Sequence, residues 1–75
     1  MDILELIKGD ENLVDSLGEH YAGDGATYAD RLAAANSVDD ALEILTSAAF
    51  IARVSGDYCG SSDICDAYAT YRAML

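Results

Sequence analysis

Apolar positions recur at three- and four-residue intervals along nearly the whole chain, and no run alternates β-branched or aromatic residues with polar ones long enough to mark a strand. That period predicts an all-α protein, a compact bundle of four to five short helices. Asp2 can cap a first helix built on Ile3, Leu4, Leu6 and Ile7, and Gly9 can take the left-handed turn that ends it. Two turns do not stand alone, so this helix needs a neighbour. Asp10 can cap a second helix running to about Ala22, with Leu13, Leu17 and Tyr21 on one face and Gly23 as its stop. Gly18 inside it costs about 1 kcal/mol relative to alanine, which implies a close backbone approach or an interruption.

Beyond the flexible Gly23-Asp24-Gly25 connection, Thr27 and Asp30 have capping-box spacing and open a third helix to about Ala35, where Asn36 can turn left-handed. Ser37 and Asp40 repeat the pattern and start a fourth helix through Val54. From Ile44 to Val54 that helix is broken only by Thr46, Ser47 and Arg53, the pattern of a helix surrounded by neighbours. The turn formers from Gly56 to Ser62 interrupt it. Ser62 and Asp63 then reopen a last helix to the C-terminus, with Ile64, Tyr68, Tyr71 and Leu75 as its apolar stripe and Ala67 and Met74 beside it.

Composition adds charge to this picture: 14 acidic side chains against 4 basic ones, a net of -10 on 75 residues. The 52% apolar content at helical spacing argues for a folded chain, and the length allows one domain, residues 1–75. Met1 to Gly9 hold no basic n-region and the longest apolar stretch, Ala48 to Ala52, is far too short to span a bilayer, so a soluble, cytoplasmic protein is expected. Such a field repels nucleic acid and anionic membranes and attracts cationic surfaces. Neither direct nucleic-acid binding nor membrane binding is expected.

The acids stand in ladders at three- or four-residue spacing: Glu11, Asp15 and Glu19; Asp39 and Glu43; Asp63 and Asp66. Like charges at i and i+4 destabilise a helix by a few tenths of a kcal/mol per pair, and almost no Lys or Arg relieves them. Carboxylates so spaced lie about 6 Å apart, close to neighbouring phosphates on one nucleic-acid strand. Two readings follow. In one, the ladders imitate phosphates and occupy the basic groove of a nucleic-acid-binding protein; in the other, they solvate five small helices or suit a high-salt cytoplasm, as in a halophilic housekeeping interaction protein.

In size, acidity and helical build the chain resembles the small virus-encoded inhibitors of host defence nucleases, the anti-CRISPR and antirestriction proteins. The resemblance lies in general character and carries over no residue positions. It implies a non-catalytic inhibitor, active in the host cell, that occupies a nucleic-acid-binding surface or a subunit contact of a CRISPR effector or a restriction enzyme. The partner-binding residues expected on the first reading are Glu11, Asp15, Glu19, Asp39, Glu43, Asp57, Tyr58, Asp63 and Asp66. Tyr58 joins them as an aromatic in a turn beside Asp57, the make-up of a binding hot spot.

Other chemistry is weaker. Asp15-Ser16-Leu17 matches the Asp-Ser-Leu of acyl carrier proteins, but only fifteen residues precede Ser16 and the long apolar helix expected after it is missing. His20 adjoins Glu19 and lies four residues before Asp24, so a carboxylate can orient its ring, yet no nucleophile stands at meaningful spacing and a surface role is expected. Cys59, Cys65 and His20 leave a zinc site one ligand short, and neither Asp24 to Asp30 nor Asp57 to Asp66 follows an EF-hand pattern. No metal, cofactor or enzymatic activity is expected. The Gly-Ser run between Cys59 and Cys65 makes a disulfide geometrically possible, with two reduced thiols, one of them packed, as the default. A symmetric homodimer would bury apolar faces that so short a bundle leaves open.

Overall fold

Five helices and one small hairpin make up the fold of the computed structural model, which describes residues 2–75. The order is α1 (Ile3–Lys8), α2 (Glu11–Leu17), β1 (Tyr21–Gly23), β2 (Ala26–Thr27), α3 (Tyr28–Ala33), α4 (Val38–Val54) and α5 (Tyr58–Arg72). Helices hold 69% of the residues, so the all-α bundle stands. The core is one cluster in which α4 supplies Ala41, Leu42, Leu45, Ala48, Ala49 and Ala52, with Ile7, Leu13, Leu17, Leu32 and Ile64 from the other four helices.

Side-chain caps start the first four helices where the expected polar residue stands. Asp2 accepts from Leu4 N–H, Asp10 from Leu13 N–H and Ser37 from Asp40 N–H. Thr27 and Asp30 form both bonds of the capping box, at 3.2 Å and 3.0 Å. The expected stops are less uniform. Gly9 ends α1 in the right-handed region at φ -90°, and among the described residues the only non-glycine with positive φ is Asp24, so Asn36 makes no left-handed turn. The end of α3 is met instead by Lys8, whose Nζ donates to the carbonyls of Ala33 and Ala35 at 3.1 and 2.7 Å.

Two stretches depart from expectation. The second helix stops at Leu17 with Gly18 as its cap, and Tyr21 lies on β1 with 71% of its surface exposed rather than on a helix face. Here Asp24-Gly25 is a two-residue hairpin turn with both φ values positive, 55° and 77°, the type I′ geometry that an Asp-Gly pair favours. The last helix starts not at Ser62 but at Tyr58, capped by Asp57 through Gly60 N–H at 2.9 Å. Gly56, at φ +87°, ends α4: its own N–H donates to Arg53 O and that of Asp57 to Ala52 O, the paired bonds of a Schellman motif. The connection between the two longest helices is therefore only Ser55-Gly56-Asp57.

Small residues let α4 and α5 approach closely. Ser61 is buried and its hydroxyl donates to the Ala49 carbonyl at 2.8 Å, with Gly60 buried beside it. Glycine is accepted at 60 because an added Cβ would meet the Asp57 carboxylate that caps the same turn. The fourth helix is not surrounded, however. Phe50 and Val54 are 65% and 64% exposed, because the stripe they share turns away from the core that Ala41, Leu45, Ala48 and Ala52 enter. The apolar stripe of α5 likewise fades toward its end, with Ile64 buried, Tyr68 and Tyr71 half-buried, and Met74 and Leu75 exposed beyond the helix.

Candidate partner-binding surface

The contact between α2 and α5 creates a groove of about 480 Å³ with Leu13, Ala67 and Tyr71 among its walls. Four carboxylates line it, Asp10 and Asp15 from the α2 side and Asp63 and Asp66 from α5, together with Asn12, Ser16 and Thr70. No lysine or arginine does. Asp10 is already committed: one oxygen caps α2 and the other accepts from the Tyr71 hydroxyl at 2.7 Å, tying the start of α2 to the last turns of α5. Burial, then this bond to an anion, pushes the Tyr71 hydroxyl up to about 12. Asp15, Asp63 and Asp66 are exposed and make no side-chain hydrogen bond or ion pair among the described residues.

Two of the three ladders thus meet across one groove, Asp15 from the first and Asp63 with Asp66 from the third. The rest of the expected set lies elsewhere. Glu11 is exposed on α2 but does not line the groove, and Glu19 falls in the turn after the helix, so the first ladder has two rungs rather than three. Asp39 sits in the first turn of α4, while Glu43 lines a separate cleft between α3 and α4 with Asp40 and Arg31. Tyr58 is 68% exposed, in the first turn of α5 rather than in a loop.

Asp57 has a structural task. Its Oδ1 accepts from Gly60 N–H, and its Oδ2 lies 2.8 Å from His20 Nε2, a contact that keeps a proton on that nitrogen. The bond to His20, followed by that to Gly60, holds the Asp57 carboxyl below the usual carboxylate range. His20 is therefore no free surface residue: its side chain is 11% exposed, and its carboxylate partner is Asp57 rather than Glu19 or Asp24. The ring straps the hairpin to the start of α5. Among the described residues no hydroxyl or thiol is hydrogen-bonded to it.

The His20–Asp57 contact is also the only one between a carboxylate and a basic side chain among the described residues, so Lys and Arg neutralise none of the carboxylates by direct pairing there. The cysteines are both exposed and free. Six residues apart on one helix, they are separated by a rise of about 9 Å, beyond the reach of a disulfide, and neither is packed. Among the described residues no helix is long and apolar enough to cross a membrane, and no three His, Cys, Asp or Glu side chains are placed to hold a metal ion. Compared with protein-family models, with curated proteins and with solved structures, the chain matches none.

Asn12, Ser16, Thr70 and Tyr71 were not foreseen as part of the surface. Periodicity identifies which face of a helix is polar, but the partner of that face depends on packing between segments some fifty residues apart, for which no sequence signal exists. The Asp10–Tyr71 bond, across 61 residues, is of this kind.

Proposed function

We propose that the chain is a non-catalytic binding module whose α2–α5 groove engages a basic protein surface, acting as an inhibitor that occupies the nucleic-acid-binding site of a defence complex such as a CRISPR effector or a restriction enzyme. The observation that carries this reading is the convergence of Asp15, Asp63 and Asp66 on one groove with no cation on its walls and no ion pair to satisfy them. A fold under selection for stability alone gains a few tenths of a kcal/mol by interleaving Lys or Arg among such acids. The four basic residues are spent elsewhere: Lys8 caps α3, Arg31 faces the α3–α4 cleft, Arg53 lies on α4, and Arg72 ends α5.

Row-like anions at helical spacing suit a surface built to contact phosphates, because the same Lys and Arg side chains that neutralise a nucleic-acid backbone meet carboxylates in its place. Leu13, Ala67 and the Tyr71 ring give the groove an apolar component that phosphates lack. The test is displacement of labelled DNA or guide-loaded target from a panel of CRISPR effectors and restriction enzymes. Displacement by the wild-type chain, lost in an Asp15→Lys, Asp63→Lys, Asp66→Lys variant with unchanged helical circular dichroism, is the expected result. Displacement retained by that variant removes the groove from the mechanism, and no displacement from any member leaves the acidity as solvation.

A further inference from the structure

On the exposed face of α4, which Asp39, Ser47 and Val54 share, one row reads Glu43, Thr46, Phe50, Arg53, a spacing of three, four and three that keeps all four side chains within about a quarter of the helix circumference. All four are exposed, and Phe50, the chain's only phenylalanine, is 65% so. The pattern is self-complementary. When α4 lies antiparallel against a second α4 about a two-fold axis midway between Thr46 and Phe50, Arg53 falls opposite Glu43 of the other copy and Phe50 opposite Thr46, twice over.

We infer that the chain forms a symmetric homodimer through this face of α4, with Phe50 as the central anchor and two Glu43–Arg53 pairs in trans. Several observations select a second copy as the occupant. Beside Phe50 a cleft of about 390 Å³ runs between α4 and α5, lined by Thr46, Ala49, Arg53, Cys65 and Tyr68 among others, and no carboxylate lines it. The α2–α5 and α3–α4 clefts both carry carboxylates. Two molecules of net charge -10 repel each other over most of their surfaces, so the carboxylate-free cleft is where their approach is least opposed. Arg53 and Glu43 have no ion-pair partner within their own chain among the described residues, and about 15 Å of helix separates them, which prevents a pair in cis and sets the length of the seam in trans.

The Phe50 ring enters the partner's cleft at its Thr46 edge, a knob held between two helices. The groove assigned above to a basic partner lies on the opposite side of α5: Asp63, Asp66 and Ala67 line that groove, whereas Ser61, Cys65 and Tyr68 line the cleft by Phe50. Both surfaces are usable at once, and a dimer presents two acidic grooves.

Sedimentation velocity across a micromolar to millimolar concentration series, at about 0.15 M salt so that long-range repulsion is screened, tests the inference. The wild-type chain is expected to sediment as a dimer that dissociates on dilution. Phe50→Glu should be a monomer with unchanged helical circular dichroism, since the ring is outside the core. Glu43→Arg and Arg53→Glu should each weaken association by roughly tenfold or more, because each single swap creates two like-charge pairs. The double swap should return it to within a few-fold of wild type. A wild-type monomer throughout the series, a dimer indifferent to Phe50→Glu, or a double swap no better than either single one overturns the inference.

Discussion

Asp57 and Tyr71 show how single side chains hold distant segments of this chain together. Asp57 ends the α4–α5 connection, caps α5 and strap-binds His20, so its charge is worth most when ionised. A carboxyl whose native pKa lies below its unfolded value of 3.8 contributes stability above that value and loses it as pH falls through the lower native one. Thermal unfolding of Asp57→Asn should therefore fall below wild type at pH 7, and the difference should close as pH drops below 3.8. A difference that persists at low pH would point to side-chain packing rather than charge. Tyr71 behaves in the opposite sense. Its hydroxyl is held neutral by burial and Asp10, with a native value near 12 against 10.0, so this contribution is full below pH 10.0 and is lost as pH rises toward 12. Ultraviolet titration should show a late tyrosinate phase that is missing in Tyr71→Phe.

At the scale of elements, the caps decide where helices begin and the tertiary contacts decide where they end. Asp10→Ala removes both the α2 cap and the acceptor for Tyr71, and chemical denaturation should show a loss of about 2 kcal/mol. Gly60→Ala should be as damaging, since an added Cβ collides with the Asp57 carboxylate that caps the same turn. Leu45→Ala, at the centre of the core, should lose about 2 to 5 kcal/mol. The starts of α1, α2, α3 and α4 were legible because Asp2, Asp10, Thr27 and Ser37 are local signals, and so were Ile7, Leu13, Leu17 and Ile64 as core-facing residues, whereas α4 read as apolar all round and its outward stripe of Phe50 and Val54 was not. The hairpin was hidden by its brevity: a three-residue and a two-residue strand show no alternation, and the Asp24-Gly25 pair reads equally as a flexible joint. The first turn of α5 was hidden by Gly60 and Ser61, whose low helix propensity is outweighed by the Asp57 cap on the Gly60 N–H and by the Ser61 bond to the Ala49 carbonyl. Three members of the proposed groove, Asp15, Asp63 and Asp66, were legible as ladder residues, but their meeting across α2 and α5 was not.

For the whole molecule, charge and shape act together. A body of 33 × 24 × 18 Å with a net charge of -10 has a field that reaches about 8 Å at physiological salt, so a cationic partner is steered toward it before contact. The groove then sets where the anions are concentrated, and the proposed α4 dimer would give one particle two such grooves. The most direct measurement of the central claim is the salt dependence of displacement of labelled nucleic acid from a responsive CRISPR effector or restriction enzyme. Occupation of a cationic groove by Asp15, Asp63 and Asp66 predicts displacement that weakens steeply as salt rises, with a shallower dependence in the charge-reversed variant wherever residual binding can be followed. Displacement that is indifferent to salt contradicts the account, because it would place the contact on packed apolar surface instead of on the acidic groove.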